Sequence, residues 1–482
     1  MQQPTDPHPD MRDDRFHDEC GIFAIANHPD ATSLCAIGLA ALQHRGQESA
    51  GIACADGHTL KSFKDMGLVS EVLTEENTAH LKGHLAIGHV RYSTTGSSNR
   101  LNAQPIQVNY KAGSVAVAHN GNLVNAASLR RNMETEGSIF NTTNDSEVIL
   151  HLIAKSRRET FDRACEEALK QIEGAFSLLL IDKDRIVVAR DRKGFRPLCV
   201  GKLGDAWVAA SETCALDIVG AQYERDVDPG EIVVLHADGR IDSYRFCDEE
   251  EPAMCMFEYV YFSRPDSYIY NRSVDEVRRR QGEILGREAP CPGADIVIGV
   301  PDSSNTASLG YAATTGLPWE LGLIRNHYVG RTFIRPSQEI RDLGVRKKYN
   351  PVRHVLAGKS VVMVDDSIVR GTTMRKLVKM LRLAGAREVH LRISSPPITH
   401  PCHYGIDTPI RQELIASSHS VAQIAEYLRV DSLAYLSEEG LMQSVQTKKG
   451  FCSACFNGRY PVKFEAVDKE VFEKSSTTHS RS

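Results

Sequence analysis

The chain has 482 residues, of which 41% are hydrophobic and 25% are charged, and its formal net charge is −5. This composition is typical of a soluble globular protein with two or three domains, and the acidic balance argues against nucleic acid or an anionic membrane surface as a partner. No stretch approaches the ~20 apolar residues of a membrane span, and twelve irregularly spaced cysteines predict reduced thiols in a cytoplasm rather than a disulfide scaffold.

The segment 1–19 is mostly polar, and it lacks the apolar region of a secretory signal. Directly after it, Cys20 opens a dense apolar stretch. We therefore predict that 1–19 is a propeptide whose removal gives Cys20 a free α-amino group. That amine titrates near ~8, so it can serve as the general base for the Cys20 thiol. The alternative interpretation is a disordered tail in front of a buried cysteine.

The pattern of residues 20–245 predicts an α+β domain with strong antiparallel content. Short apolar runs bounded by turn residues indicate strands, and two segments with helical period indicate amphipathic helices. The predicted strands are 114–123, 176–182, 185–191, 206–211 and 231–241, and the predicted helices are 146–158 and 161–172.

Acidic residues 247–254 read as a linker, and strands alternate with helices from about residue 275 onward. Such alternation predicts a mostly parallel sheet with crossover helices, that is, an α/β domain over 255–460. A polar tail, 461–482, follows it. The predicted elements are strands in 294–304, 360–367 and 388–394 and helices in 308–316 and 373–385.

The strongest local signal is the sequence VVMVDDSIVRGTT at 361–373. A buried strand ends in two adjacent carboxylates, and a short turn then leads into a helix whose free N–H groups can hold a phosphate. Because carboxylates repel phosphate, they suit ribose hydroxyls or a magnesium ion that bridges to the anion. The alternative is a purely structural role, in which the strand end is simply followed by a helix cap. The candidate residues are Asp365, Asp366, Ser367, Arg370, Gly371, Thr372 and Thr373.

This motif resembles the fingerprint of type I phosphoribosyltransferases, which bind phosphoribosyl pyrophosphate (PRPP). The resemblance implies that the strand-ending loop 299–304 faces the same crevice and that Ser303 contacts magnesium beside Asp365 and Asp366. The segment 326–350 is strongly basic and includes Arg331. Beside a polyanionic substrate it reads either as a mobile lid that closes over pyrophosphate or as a solvated charge run.

The whole chain after residue 19 resembles the amidophosphoribosyltransferases, and its first domain is similar to the N-terminal-nucleophile (Ntn) glutaminases. Four segments carry this resemblance in the family's order and spacing: 42–52, 89–96, 118–125 and 144–150. The implied fold is an Ntn glutaminase domain followed by a type I phosphoribosyltransferase domain.

The resemblance also implies the roles of the glutaminase residues. Cys20 is the implied nucleophile, and the Asn120 side chain and the Gly121 N–H are the implied donors to the oxyanion. Arg91 matches the site for the carboxylate of glutamine, and Asp145 matches the site for its ammonium group. Arg45 also falls in a matching motif, either as a substrate contact or as a brace for the nucleophile. Taken singly, each of these residues would more often be structural.

Four cysteines lie outside both sets of motifs, and two of them form a C-x-x-C pair near the end of the chain. By residue type and spacing they suit a structural zinc, an iron–sulfur cluster or four buried thiols. The resemblance favours the second choice, because one branch of the family carries one [4Fe–4S] cluster per subunit and loses a leader. The four residues are Cys255, Cys402, Cys452 and Cys455.

The resemblance therefore implies an enzyme that takes ammonia from glutamine and joins it to PRPP, with one Mg²⁺ per subunit, to give 5-phosphoribosylamine in the first step of purine synthesis. It also implies a cytoplasmic homotetramer inhibited by purine nucleotides. Two rivals stay open: a PRPP- or nucleotide-binding regulator with a retired glutaminase, and an aminotransferase of the glucosamine-phosphate type. Intact glutaminase residues disfavour the first, and the motif at 361–373 disfavours the second.

Overall fold

The computed structural model describes most of the chain, and every helix and strand named below lies in the described part. No helix among these residues is long and apolar enough to cross a membrane. The predicted propeptide 1–19, Arg331 and most of the tail 461–482 lie outside the described residues. The described ranges are 20–92, 99–326, 348–408, 410–447 and 450–464.

The chain contacts divide the described residues into two compact units. The first unit consists of residues 20–280, the short segment Pro401–Asp407 and the described residues from Glu439 onward. The second unit consists of Gln281–His400 and Thr408–Glu438, again over their described parts. Each unit has its own core and is built on its own sheets.

One sheet of the first unit has seven antiparallel strands, with β1 near its centre. The side chains of β1 alternate: Phe23 and Ile25 pack on one face, and Ile22 and Ala24 on the other. This period of two is what a strand buried on both faces requires. In spatial order the strands are β11 (Gln222–Asp226), β9 (Cys199–Leu203), β10 (Ala206–Ala210), β1 (Gly21–Ala26), β4 (Leu85–Arg91), β2 (Ser49–Ala55) and β3 (Leu60–Met66).

The second sheet of this unit has six antiparallel strands. The dipeptide Asn120-Gly121, which favours hairpin turns, lies inside a continuous strand here rather than at a turn. In spatial order the strands are β13 (Ile241–Arg245), β12 (Glu231–His236), β8 (Arg185–Arg190), β7 (Gly174–Ile181), β6 (Gly113–Leu123) and β5 (Ile106–Tyr110).

The two sheets face each other across a shared apolar core, and helices cover both outer faces. The resulting four layers, helix–sheet–sheet–helix, confirm the predicted Ntn glutaminase fold. The helices packed on the seven-stranded sheet are α1 (Ala31–Ala41), α2 (Val69–Val72) and α7 (Thr213–Val219). The short helix α3 (Glu75–Thr78) follows α2, and the six-stranded sheet is covered by α4 (Ala126–Thr135), α5 (Glu147–Lys155) and α6 (Phe161–Leu169).

The first unit extends past the linker predicted at 247–254. The strand β14 (Met254–Cys255) pairs in parallel with β23 (Phe451–Cys452). Both strands therefore belong to the first unit, although they are far apart in sequence. The domain division predicted at residue 255 therefore differs from the contacts. The remaining elements of this part are a π-helical turn (Glu258–Phe262), β15 (Tyr268–Ile269), β16 (Arg272–Ser273), α8 (Val274–Glu288), α13 (Glu438–Ser444) and α14 (Ala454–Asn457).

The second unit is an α/β fold around a four-stranded parallel sheet, as the alternation of strands and helices predicts. Its strands are apolar and buried, and amphipathic helices pack against them. In spatial order the strands are β17 (Ile296–Gly299), β20 (Ser360–Asp365), β21 (Glu388–Ile393) and β22 (Ser432–Tyr435). An antiparallel pair, β18 (Leu323–Arg325) and β19 (Tyr349–Pro351), and the helices α9 (Asn305–Thr315), α10 (Arg353–Leu356), α11 (Thr372–Leu383) and α12 (Val421–Leu428) complete it.

Candidate active sites

Cys20 lies directly before β1, and only 6% of its surface is exposed. Its thiol donates to the carbonyl oxygen of Tyr92 over 3.6 Å. Burial raises the pKa of the Cys20 thiol to about 11, and the nearby Arg91 opposes part of this rise. At pH 7 the thiol is therefore protonated, so it becomes a nucleophile only when a base takes its proton.

A buried ion network holds the backbone of Cys20 in place. Arg45 is 1% exposed, and its Nε donates to the carbonyl oxygen of Cys20 at 3.1 Å. Its other nitrogens pair with Glu212 at 2.6 Å and with Glu258 at 2.7 Å. This placement favours the role of a brace for the nucleophile over the predicted role of a glutamine contact. Sequence reasoning missed both glutamates, because neither lies near Arg45 in the chain.

Arg91 ends strand β4 and is 2% exposed. Burial lowers its pKa, whereas Cys20, Glu48 and Asp145 act in the opposite direction. A buried guanidinium can hold a carboxylate through two parallel hydrogen bonds. Arg91 therefore offers a carboxylate-binding group in the electrostatic neighbourhood of Cys20.

Asp145 lies just before α5 and is 6% exposed. Its Oδ2 accepts the Leu123 N–H at 2.9 Å, its Oδ1 accepts the Ser146 hydroxyl at 3.2 Å, and His119 Nδ1 lies 3.7 Å from Oδ1. Burial alone would raise the pKa of Asp145, but His119 and these donors hold it below its usual value. The group is thus an anion at neutral pH, suited to an ammonium group.

Asn120 and Gly121 supply two hydrogen-bond donors in β6. Within the described part of the chain, the buried Asn120 Nδ2 has no hydrogen-bond partner. Gly121 pairs with Phe176, whose own N–H and C=O are engaged by Asp191, so the Gly121 N–H points away from β7. A buried donor without a partner costs about 1–3 kcal/mol, which a bound oxygen would recover.

Gly121 is a position that only glycine can fill. Its φ is +147°, and a Cβ there would lie 2.0 Å from the carbonyl oxygen of Ala175. This contact is far inside van der Waals distance, so any side chain would displace the strand. The glycine allows the close backbone approach that an oxyanion donor needs.

His119 is a site residue that the sequence reasoning missed. Its imidazole Nδ1 lies 2.9 Å from the Ser146 hydroxyl, and its main-chain N–H donates to Gln104 Oε1 at 2.7 Å. The ring thereby helps to position Asp145, and the main-chain bond helps to position the strand that carries Asn120. Its place inside the motif at 118–125 was the available signal.

In the second unit, the two carboxylates of the phosphate motif stand at the carboxyl end of β20. Asp365 and Asp366 are 5% and 6% exposed. Asp365 Oδ1 accepts the Ser304 hydroxyl at 2.8 Å and the Asp366 N–H at 3.0 Å, and Asp366 Oδ2 accepts the Ser367 hydroxyl at 2.6 Å. The two loops predicted to meet here, 299–304 and 365–371, do meet.

The helix that follows this turn begins as predicted. Gly371 has a φ of +82° and precedes α11, which opens with Thr372 and Thr373. The Arg370 guanidinium pairs with Glu413 at 2.6 Å, an ion pair that the sequence motif does not predict. Ser303 lies in the neighbouring loop, where its hydroxyl is 3.4 Å from that of Ser304.

The four predicted cysteines line one cavity in the first unit. Cys255 and Cys452 are register partners in β14 and β23. Burial raises the pKa of Cys452 to about 12 and that of Cys455 well above its usual value, and the other three cysteines raise the pKa of Cys455 further. Four thiols this close together form a soft ligand set.

Four cysteine sulfurs are a donor set that either a zinc ion or an iron–sulfur cluster can use. Within the described residues, no three His, Cys, Asp or Glu side chains are placed to hold one ion. Zinc bound by cysteines needs every sulfur about 2.3 Å from the metal, whereas a [4Fe–4S] cluster takes one cysteine on each of its irons. The number and type of these donors match one cysteine on each iron of such a cluster. A magnesium ion that uses two carboxylates and substrate oxygens needs no third side chain.

The chain is similar to known proteins along most of its length. Residues 89–217 match the family model described as "Glutamine amidotransferase domain". Amidophosphoribosyltransferase of Bacillus subtilis (strain 168) is 50% identical over 452 residues, which cover 92% of this chain and 94% of that protein. Amidophosphoribosyltransferase 1, chloroplastic, of Arabidopsis thaliana is 52% identical over 463 residues, covering 95% and 81%.

Two solved structures share the fold. One is glutamine PRPP amidotransferase from B. subtilis complexed with ADP and GMP, with a TM-score of 0.88, 49% identity and coverage of 93% of this chain and 98% of that one. The other is described as the allosteric regulatory enzyme of purine biosynthesis, with a TM-score of 0.89, 50% identity and coverage of 93% and 97%.

Proposed function

Since this chain belongs to the amidophosphoribosyltransferase family, we propose that Cys20 releases ammonia from glutamine in the first unit and that Asp365 and Asp366 position PRPP in the second. The enzyme is a glutamine-dependent transferase of the first step of purine biosynthesis. It converts glutamine and PRPP into 5-phosphoribosylamine, glutamate and pyrophosphate.

The position of Asp145 is the main support for the glutaminase assignment. Its charge acts on the Cys20 thiol, and its carboxylate holds the Leu123 N–H two residues from Gly121. These two links support the proposal that the nucleophile, the anion and the oxyanion donors form one site. The test is the alanine variant of Cys20, which should separate glutamine-dependent from ammonia-dependent turnover.

In the proposed reaction, the Cys20 sulfur attacks the side-chain amide carbon of glutamine while its proton passes to the α-amine of Cys20. The amine then donates a proton to the leaving nitrogen, and the C–N bond breaks to release ammonia and leave a thioester. Water hydrolyses the thioester to glutamate. This route requires removal of residues 1–19, because the amine is otherwise part of the peptide bond to Glu19.

The negative oxygen that forms during attack accepts hydrogen bonds from Asn120 Nδ2 and the Gly121 N–H. Donors that are in place before the reaction stabilise the transition state without reorganisation. Arg91 binds the α-carboxylate of glutamine and Asp145 binds its α-ammonium. Arg45 acts as a brace through the Cys20 carbonyl.

In the phosphoribosyl unit, Asp365 and Asp366 would hold Mg²⁺, with Ser303 as a further contact. When bound, the ion neutralises charge on the pyrophosphate leaving group. The turn from Ser367 to Gly371, which includes Arg370, and the first residues of α11, Thr372 and Thr373, present hydroxyls and N–H groups to the 5-phosphate. Arg331, outside the described residues, is a further proposed contact to PRPP.

The cysteine cavity would hold one [4Fe–4S] cluster per subunit through Cys255, Cys402, Cys452 and Cys455. Support comes from the one cavity that all four cysteines line, because cysteine thiolates are the ligands that iron–sulfur clusters take. When bound, the cluster ties together three segments that are far apart in sequence.

We expect about four irons and four sulfides per chain in protein purified without oxygen. A variant that lacks one of the four thiolates should lose most of the iron and most of the sulfide. The variant is Cys455→Ser, and the matched control is Cys291→Ser, since Cys291 is similarly buried but lies outside the cavity. Elemental analysis and the visible absorption of the cluster give the readout. One zinc per chain, or iron retained in Cys455→Ser, would overturn the assignment.

Purine nucleotides are proposed as feedback inhibitors, supported by the ADP and GMP in the structure of the B. subtilis relative. A homotetramer is proposed from the family resemblance. A cytoplasmic location is proposed from the irregular spacing of the twelve cysteines, which is typical of reduced thiols.

A further inference from the structure

We propose that Gly405 is a positioning residue for the oxyanion donor Gly121, an inference that rests on the proposed role of Gly121. A Cβ on Gly405 would lie 2.9 Å from both Cα and C of Gly121 and 3.1 Å from its oxygen. The φ of Gly405 is +103°. Two glycine backbones are therefore in direct contact, although they come from opposite ends of the chain.

The segment that carries Gly405, Pro401–Asp407, is fixed to the first unit at several points. The Asn122 side chain donates to the carbonyl oxygen of His403 at 3.0 Å, and Arg196 donates to that of Tyr404 at 2.6 Å. The Tyr404 ring also stacks on Phe195, with ring centres 4.3 Å apart. A segment held in this way is a rigid support rather than a loose covering.

Gly121 is consequently enclosed on two sides by backbone. The carbonyl oxygen of Ala175 occupies the space where its own Cβ would stand, and a Cβ on Gly405 would crowd its Cα, carbon and oxygen. Glycine at position 405 therefore leaves the Gly121 backbone in place, whereas a side chain there would push it aside. Because oxyanion donors act within a window of about 2.7–3.1 Å, the position of Gly405 sets the alignment of the Gly121 N–H.

The test compares Gly405→Ala with Gly113→Ala in the processed full-length enzyme. Gly113 has a φ of +124° and open space where a Cβ would stand, so this control carries the backbone strain without the contact. We expect Gly405→Ala to lower kcat for glutamine about tenfold or more, with KM changed less than twofold, because donor alignment matters chiefly in the transition state. Ammonia-dependent turnover and the alkylation rate of Cys20 should not change.

A second variant keeps the proposal falsifiable if Gly405→Ala does not fold. Asn122→Ala removes the bond to His403 and loosens the same segment without strain, so it should lower kcat in the same direction by a smaller factor. Wild-type kcat in the folded variants, or an effect equal to that of Gly113→Ala, would overturn the role of Gly405. Failure of the proposed function looks different: Cys20→Ala would then still hydrolyse glutamine.

Discussion

Replacing Cys20 by alanine is expected to lower glutamine-dependent turnover at least about 10,000-fold while ammonia-dependent turnover persists. Loss of a catalytic nucleophile removes the covalent route entirely, and losses of this size are found when such residues are deleted. In the proposed reaction, the phosphoribosyl site uses ammonia and PRPP and none of the residues proposed for glutamine hydrolysis. The variant should therefore become an ammonia-dependent enzyme.

The measurement is release of glutamate and of pyrophosphate, with glutamine or ammonium chloride as the nitrogen source. Cys247→Ala is the matched control, because Cys247 is half-buried and has no part in any of the three sites. Its turnover should stay near that of the unchanged enzyme with either nitrogen source. Glutamate release by Cys20→Ala at more than a trace rate would contradict the assignment.

Asp365→Asn is expected to lower turnover about 100-fold or more with either nitrogen source. The substitution removes a charge that would hold magnesium beside the pyrophosphate, and such electrostatic groups typically contribute this much. The fold should survive, because an asparagine Oδ1 can still accept from Ser304 and from the Asp366 N–H. The change therefore isolates the charge.

Asp295→Asn is the control for this charge. Asp295 precedes β17, at the amino ends of the parallel strands, whereas Asp365 lies at the carboxyl end of β20, and Asp295 accepts the Ser360 N–H at 2.7 Å. Turnover of this control should stay within about twofold of the unchanged enzyme, as expected for a surface change away from the site. An Asp365→Asn enzyme that binds PRPP and turns over as well as this control would contradict the proposed magnesium site.

The structure of the phosphate motif can be predicted almost completely from local sequence. Strand, paired carboxylates, turn and helix start are consecutive in the chain, so the pattern at 361–373 predicts the edge of β20 and the start of α11 without any distant contact. The same holds for the strand β6, although its Asn-Gly pair reads locally as a turn. There, pairing with β7 on one side overrides the turn preference of the dipeptide.

The brace around Cys20 could not be predicted in the same way. Arg45, Glu212 and Glu258 come from three distant segments, and only the folded chain brings their charges together. The pairing of β14 with β23 is hidden from local sequence for a related reason, because the two strands lie nearly two hundred residues apart. Gly405 likewise shows no local sign of its contact with Gly121.

In the proposed mechanism, cleavage before Cys20 creates the catalytic base. The direct measurement is glutamine hydrolysis by one preparation before and after removal of residues 1–19, with the first residue identified by intact mass. Burial holds the pKa of the thiol near 11, so the freed amine should raise the rate about 100-fold or more, as general bases do. Equal rates before and after removal would contradict the claim.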